Sequence, residues 1–357
     1  MKNKNRITKL KKINNEKLKK LTSILKSKYN IEPKDIEKIR SVYKIYTKDK
    51  IYCLKEFKHN NKKVIIGFYF TKYLKDNGFN NIADYFKTID GREVVKTDKK
   101  YYYLTSWING KECDFSDISV LRKAVELLAK FHLKAKGFEV KSIKLKDNFN
   151  NNWEKKILKI CDDLREFKRL IENKKIKTQF DEKYLELIED NLNLCLEILN
   201  IFKKEKYKKL CERAKKEKYV CHDSFYYQNL LLDDNNELYL IDLDSIVYDL
   251  PAYDLAKFIR RIMNKKRYSW NYEIAKEMLK IYDEIRKIED DEYEIILGYL
   301  LIPHRFWKLG KKRYFKNKEW SEEKYLRKLE KEIRYKEKKE EFANKFINEF
   351  LAKEKSS

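Results

Sequence analysis

The sequence predicts an α+β fold, with strands gathered before residue 110 and helices after it. Three observations carry that reading. Residues 41–57 and 79–108 alternate polar and apolar side chains around turn residues, the period of half-buried strands. Most segments beyond residue 110 place apolar residues at helical spacing. Inside that helical part, Val220–Ile262 carries a hairpin signal. Leu230–Leu232 and Leu238–Ile241 flank the polar turn Asp233-Asp234-Asn235-Asn236.

Taken from its start, the chain opens with a basic extension, residues 1–40, that reads as mostly helical. Leu18, Leu21, Ile24 and Leu25 fall at helical spacing, and Pro33 stands near a second helix start. The run MKNKNRITKLKKINNEKLKK reads as a tail for an acidic partner or as a solvated helix face. SVYKIYTKDKIYCLKEF is a strand–turn–strand unit. On its second strand Ile51, Cys53, Lys55 and Phe57 share one face, with Tyr52, Leu54 and Glu56 on the other. Lys55 thus sides with apolar neighbours, unlike an ordinary solvent-facing lysine. KKVIIGFYFTKYLKDNG reads as a helix ending at the capping Gly78. Ile82–Ile89 reads as a strand, and DGREVVKTDKKYYYLTSWI as a hairpin with turns at Asp90-Gly91 and Asp98-Lys99-Lys100.

Ser119–Lys136 is an amphipathic helix with Val120, Ala124, Leu127, Leu128, Phe131 and Ala135 on its apolar stripe. His132 lies beside that stripe and reads as a packing histidine. Trp153–Lys218 carries two or more helices. Others are expected at Ala252–Met263, Tyr272–Ile288 and Tyr293–Leu309, with a charged helical stretch at Glu322–Leu351. Trp270, His304, Arg305 and Trp307 are candidates to line a substrate pocket, or core residues in the case of the tryptophans.

Polar residues stand at both outer ends of the 230–241 hairpin. His222, Asp223, Ser224 and Asn229 precede it, and Asp242 and Asp244 follow. Strand pairing brings Asn229 and Asp242 side by side at one mouth. An amide beside a carboxylate on rigid strands outlines a magnesium–phosphate site. Asp and Asn are also common in turns. Carboxylates directly after the apolar YLI, however, lie near the core, where a charge needs a partner or a metal.

This spacing resembles that of kinase-like phosphotransferases: His-x-Asp-x-x-x-x-Asn, a hairpin, then a metal-binding Asp. The frame here is His222-x-Ser224-x-x-x-x-Asn229, followed by Asp242. PAYDLAKF, with Asp254, looks like the helix start of aminoglycoside and choline phosphotransferases. Through CHDSFYYQNLL, YLIDLDSIVYDLPAYDLAKF, YLTSWINGKE and LLAKFH the chain resembles the CotS-type spore coat family of that superfamily.

The resemblance implies a two-lobed, protein-kinase-like (aminoglycoside phosphotransferase-like) fold. Residues 41–109 would form a small β-rich N-lobe. Residues 110–357 would form a large helical C-lobe with a catalytic-type hairpin at 220–245. It implies Lys55 as the lysine on the α/β-phosphates, and Trp107 and Ile108 as hinge residues whose backbone binds adenine. Asn229 and Asp242 become magnesium ligands, Asp244 either joins them or caps the following turn, and His222 and Asp254 brace the catalytic loop. ATP and Mg²⁺ follow as cofactors and other spore coat proteins as partners. Cytoplasmic synthesis followed by residence in the coat is the implied location.

Three departures qualify that pattern. No glycine lies between Ser41 and Lys55, no Asp or Glu lies between Asn60 and Lys75, and the base position holds Ser224. A hydroxyl does not accept a substrate proton at neutral pH as a carboxylate does, and general-base assistance is worth ~10²–10⁴-fold. Asp223 is adjacent, but one residue along an extended chain moves ~3.3 Å and tends to reverse the side chain. The implied function is a catalytically impaired, nucleotide-binding spore coat pseudokinase. The alternative is an active ATP-dependent small-molecule or protein kinase in which Asp223 or a water stands in for the base.

Composition sets outer bounds. The 357 residues are 42% hydrophobic and 14% aromatic, enough for a real core. Eighty-four Lys and Arg against 58 Asp and Glu give a formal charge of +26. Most segments interleave the lysines with acids, the pattern of a lysine-coated surface; a basic nucleic-acid-binding protein is a third, distant alternative that net charge alone suggests and no recognisable motif supports. The six cysteines form no CxxC pair and read as small buried hydrophobes. The N-terminus lacks an apolar signal region, and no apolar run reaches the length of a membrane span.

Overall fold

Strands form where the alternation runs, and one more forms where a helix was expected. The computed structural model describes residues 13–58, 61–97, 100–140, 143–149 and 152–352. The first twelve residues of the basic run, and Asp98-Lys99 of the expected turn, lie outside the described residues. The chain enters helix α1 (Asn15–Tyr29), whose cap Asn14 accepts the Lys17 N–H at 2.9 Å. Strands β1 (Asp35–Ile39), β2 (Val42–Tyr46) and β3 (Ile51–Phe57) follow, then helix α2 (Asn61–Asp76). Next come β4 (Tyr85–Phe86), β5 (Val95–Lys96), β6 (Tyr101–Ser106) and β7 (Gly110–Glu112). Helices α3 (Ile118–Ala135), α4 (Asn152–Glu172), α5 (Gln179–Glu186), α6 (Ile188–Lys203) and α7 (Glu205–Lys216) lead to β8 (Val220–Cys221). The hairpin β9 (Leu230–Asp233) and β10 (Leu238–Leu240) precedes β11 (Val247–Tyr248). Helices α8 (Pro251–Met263), α9 (Tyr272–Ile285), α10 (Asp290–Leu301), α11 (His304–Gly310), α12 (Glu322–Arg334) and α13 (Lys336–Phe346) complete the chain.

Two compact units divide these elements. The first draws on Met1–Asp114, Phe138–Leu145 and Ser224–Ile246. Its main sheet is antiparallel in the order β1-β2-β3-β6-β4, with β5 also on β6. Helix α1 buries Leu21, Ile24 and Leu25 against Tyr43, Ile45, Leu54 and Leu104 of that sheet. A second small sheet, β10-β9-β7, sits in the same unit. The second unit holds the helices from α3 onward and the short β8–β11 pair. In it α4 packs on α6, α8 on α10, and α3 on α9. Among the described residues no helix is long and apolar enough to cross a membrane. All six cysteines are buried and free, as small hydrophobes should be.

Several sequence expectations need correction. Residues 35–39 are a strand, not part of a helical extension, because they pair residue for residue with β2 from Asp35↔Tyr46 to Ile39↔Val42. Ladder hydrogen bonds and burial of Ile36 outweigh the helix propensity of the Glu-Lys pair. With α1 packed on the sheet, residues 15–39 are built into the first unit rather than appended to it. The expected strand Ile82–Ile89 shrinks to Tyr85–Phe86 plus a bridge from Ile82 to Leu240. The helix expected over Tyr293–Leu309 breaks between Leu301 and His304, since Pro303 has no N–H to continue it.

Candidate functional site

β3 sets Lys55 opposite Val42 on one side and Tyr103 on the other. The Lys55 ammonium forms an ion pair with Asp242, 187 residues away in sequence. The side chains of the pair are 19% and 45% exposed. Lys55 Nζ also lies 5.7 Å from the Tyr103 ring centre. Tyr103 stacks on Tyr85 at 5.5 Å with ring planes 11° apart. Burial opposes the Lys55 charge, but the groups around it, with the Asp242 carboxylate as the charged one, outweigh it and hold the ammonium above its ordinary value. Burial pushes the Tyr103 hydroxyl up to about 12, so it stays neutral.

Helix α2 offers no carboxylate to the lysine, in line with its sequence. It approaches Tyr85 instead. A Cβ on Gly67 would sit 3.3 Å from the Tyr85 hydroxyl. The tyrosine pair fills the lysine's surroundings, a feature the sequence reading missed. The signal was there in the period of β6, which puts Tyr103 and Thr105 on one face.

Around Lys55 lies a cavity of about 550 Å³, lined among others by Tyr103, Trp107, Ile108, Asp242 and Asp244. Small-molecule sites span roughly 300–1,000 Å³. Its rim includes Arg40 and Ser41, the two-residue turn between β1 and β2, with Arg40 at φ 55° and paired with Glu112. Sequence reading missed Arg40 because a helix was expected there. The Trp107 N–H donates to the Ile51 carbonyl at 3.1 Å, and Lys44 Nζ lies 4.8 Å from the Trp107 ring centre.

The hairpin register pairs Leu230 with Leu240. Asn229 therefore faces Ile241, whose N–H it accepts at 3.0 Å, and Asp242 lies one residue beyond. Asn229 Nδ2 donates to the Ser224 carbonyl at 2.9 Å, fixing residues 224–229 as one turn. Asp242 takes φ 63°, a left-handed conformation that Asp tolerates, and starts the turn Leu243–Ser245 that carries Asp244. Two carboxylates and an ammonium on one cavity are hard oxygen donors and a phosphate partner. They suit a divalent cation bound together with phosphate oxygens.

Within the second unit, Asp254 on the first turn of α8 is 1% exposed. It accepts the His222 N–H at 2.6 Å and the Asp223 N–H at 3.1 Å. His132 Nε2 lies 3.5 Å from Asp254, and its Nδ1 shares a 2.6 Å hydrogen bond with the Tyr282 hydroxyl. Burial lowers the His132 pKa. Burial also opposes ionisation of Asp254, but His132 and then Lys257 and His222 outweigh it and keep the carboxyl below its ordinary value. Asp223 sits at φ 59°. Its carboxylate accepts from the Tyr253 hydroxyl at 2.9 Å and from Lys257 Nζ at 2.6 Å. The same ammonium reaches the Asp223 carbonyl. Tyr253 and Lys257, one helical turn apart on α8, escaped the sequence reading although their i, i+4 spacing was visible.

The structure thus gathers Lys55, Trp107, Ile108, Asp242 and Asp244 around one cavity. It joins Ser224 to Asn229 and ties His222 and Asp223 to Asp254. His304, Arg305 and Trp307 line a separate cavity with no part in this one. Trp270 lines neither, being buried against Phe342 with ring centres 5.3 Å apart.

Residues 22–346 match the family described as "Spore coat putative kinase YutH". Spore coat protein S of Bacillus subtilis (strain 168) is 25% identical over 307 residues, 86% of either chain. An aminoglycoside phosphotransferase structure from Alicyclobacillus acidocaldarius superposes with a TM-score of 0.79 at 20% identity, covering 89% of this chain and 92% of that one. A spectinomycin phosphotransferase in complex with ADP and spectinomycin gives 0.54 at 15% identity, covering 90% and 98%. An amicoumacin kinase with AMP-PNP and Ca²⁺ gives 0.56 at 12% identity, covering 93% and 94%. The kinase-like, aminoglycoside phosphotransferase fold is the one these structures share with this chain.

Proposed function

The chain belongs to the spore coat kinase family that its residues 22–346 match, and from that premise we propose a coat component that binds ATP with Mg²⁺ but transfers phosphoryl groups poorly or not at all. It is made in the cytosol and assembles with other coat proteins, the setting its relative in Bacillus subtilis is named for. Nucleotide binding draws support from the Lys55–Asp242 pair at a cavity of about 550 Å³. Two structural neighbours hold ADP and AMP-PNP.

In this reading Lys55 neutralises the α/β-phosphates. Asp242 and Asp244 hold the cation, with Asn229 on the adjacent strand end. Bound magnesium would supply neutralisation of the β- and γ-phosphate charge. The Trp107 N–H is spent on Ile51, so Trp107 offers adenine its carbonyl only, beside the Ile108 backbone. Arg40, on a two-residue turn, takes the place of a glycine-rich phosphate loop.

One observation carries the catalytic part. Ser224 occupies the base position, and the neighbouring Asp223 carboxylate is committed to Lys257 and Tyr253. Phosphoryl transfer relies on positioning and charge neutralisation, but a substrate hydroxyl still has to lose its proton.

Purified protein with Mg²⁺ and ATP tests the proposal by thermal shift and by ADP release. The expected result is a shift without turnover, with ATP affinity falling roughly 10–100-fold in Lys55→Ala as one charge-assisted contact is lost. Turnover that disappears in Asp223→Ala would overturn it and establish Asp223 as the base.

A further inference from the structure

We propose that Trp320 and four lysines around it form a docking surface for an acidic segment of another protein, a stretch of chain with Asp or Glu at alternate positions. The inference is independent of the nucleotide reading. Trp320 stands between the turn Lys311–Phe315 and the start of α12, within the helical unit. Lys312 Nζ and Lys324 Nζ each lie 4.8 Å from its ring centre, Lys328 Nζ 5.2 Å and Lys318 Nζ 5.3 Å. Lys318 and Lys328 are exposed, and the other three residues are partly so. None of the five lines the cavity that holds His304 and Trp307.

The core fixes the scaffold beneath them. Tyr325 is fully buried, and its ring centre lies 5.3 Å from that of Trp320. Its hydroxyl lies 2.8 Å from the Lys318 carbonyl and 3.2 Å from the Lys312 carbonyl, which ties both backbone positions to α12. The other two lysines stand one helical turn apart on α12, a spacing at which like charges repel. Contact with the indole face offsets part of that repulsion and gathers the ammoniums on one spot.

The cluster lacks matching negative charge. Among the described residues none of the four ammoniums pairs with a carboxylate. Three glutamates adjoin Trp320 in sequence. Glu322 accepts from Arg313 and from the Phe180 N–H, each at 2.9 Å. Glu323 turns to Ser321, whose hydrogen bond holds its carboxyl below the ordinary value. That leaves Glu319 against four positive charges. No two of these can be farther apart than the sum of their distances to the ring centre, about 10.5 Å. The Debye length at 0.1 M salt is about 10 Å, so salt does not hide them from one another. Burial, and then Lys312, Arg305, Lys324 and Arg327, bring Lys328 below the ordinary lysine value.

The chemistry of the cluster selects the partner. Carboxylates on alternate residues of an extended chain lie ~6.6 Å apart on one face, a spacing that the cluster spans. The groups over the ring are all ammoniums, without the guanidinium fork that suits phosphate and nucleic acid. Ammoniums over the indole also occupy the face on which a single-stranded base would stack.

Fluorescence anisotropy on the intact protein at low salt uses three labelled probes: a peptide of five Glu-Ser repeats, its Gln-Ser counterpart and a ten-nucleotide oligo-dT. Expected is binding of the Glu-Ser peptide, weakened by salt and tighter than that of oligo-dT, with no binding of the Gln-Ser peptide. Lys324→Ala combined with Lys328→Ala should weaken it roughly three- to tenfold. Lys19→Ala combined with Lys20→Ala removes equal charge from the exposed basic run near the chain start and should change it by less than about twofold. Trp320→Ala keeps every charge but no longer gathers the lysines, and should weaken binding roughly threefold, whereas Trp320→Phe should retain most of the affinity. Circular dichroism checks folding, and the two lysine pairs decide the question if Trp320→Ala does not fold. Failure of the Glu-Ser peptide to bind overturns the proposal. So does equal binding of the Gln-Ser peptide or of oligo-dT, an equal loss from the two lysine pairs, or a folded Trp320→Ala protein that binds like the unaltered one.

Discussion

Replacing Ser224 by aspartate returns a carboxylate to the position that both His222 and Asn229 mark by spacing. The substitution should leave the loop in place. Asn229 Nδ2 bonds the backbone carbonyl of Ser224 at 2.9 Å, not the side chain that changes. Residue 224 is only partly buried, so a carboxylate is not forced out of water. General-base assistance is worth ~10²–10⁴-fold, or about 2.7–5.4 kcal/mol of barrier. Water is the acceptor when no substrate is supplied, and water is not held in place. The gain should therefore fall near the lower end, ~10²-fold. The assay is Mg²⁺-dependent ADP release, with thermal shift by ATP as the binding control. The double variant Asp223→Ala, Ser224→Asp should keep the gain, which assigns it to residue 224. Unchanged ADP release in a variant that still binds ATP would refute the argument. The missing base would then not be what limits turnover.

Other perturbations test the scaffold. Asp254→Ala removes a buried acceptor from two backbone N–H groups and should cost roughly 3–5 kcal/mol in urea denaturation; a loss under about 1 kcal/mol would contradict its bracing role. His132 and His304 have folded pKa values below their unfolded ones, so each favours folding above about pH 6.5 and loses that contribution as pH falls. Asp249, raised to about 6 mainly by burial, acts the other way, favouring folding at low pH and losing its share as pH rises through 6. With two groups against one, the melting temperature should drop from pH 7 to pH 5, and the drop should shrink in His304→Gln; a rise would show the histidines to be minor. Gly310→Ala would drive a Cβ into the Tyr184 hydroxyl and to 2.6 Å from Phe167, and the overpacking should cost about 1–3 kcal/mol by thermal or chemical denaturation.

How far the sequence reached depends on the range of the interaction. The 230–240 hairpin was legible because a polar turn between apolar runs is a local signal, and the strands pair as that turn requires. Lys55 was legible because strand period alone assigns a face. β1 was not. Its residues form helices readily, and only pairing with β2 across the Arg40-Ser41 turn makes them a strand. Asn229 and Asp242 were expected side by side at one mouth of the hairpin; the register sets Asn229 against Ile241 with Asp242 one residue beyond, an offset that turn composition does not encode.

By itself the sequence determined the kinase-like fold, the candidates for its site, and the serine where a base is expected. All of these are matters of order and spacing along the chain. Tertiary structure decided which charges meet. Lys55 found Asp242, Asp223 was taken by Lys257, and lysines and arginines scattered from residue 156 to residue 311 converged on one cavity. Electrostatic partnership depends on distance in space, and folding sets that distance between residues that the chain keeps far apart.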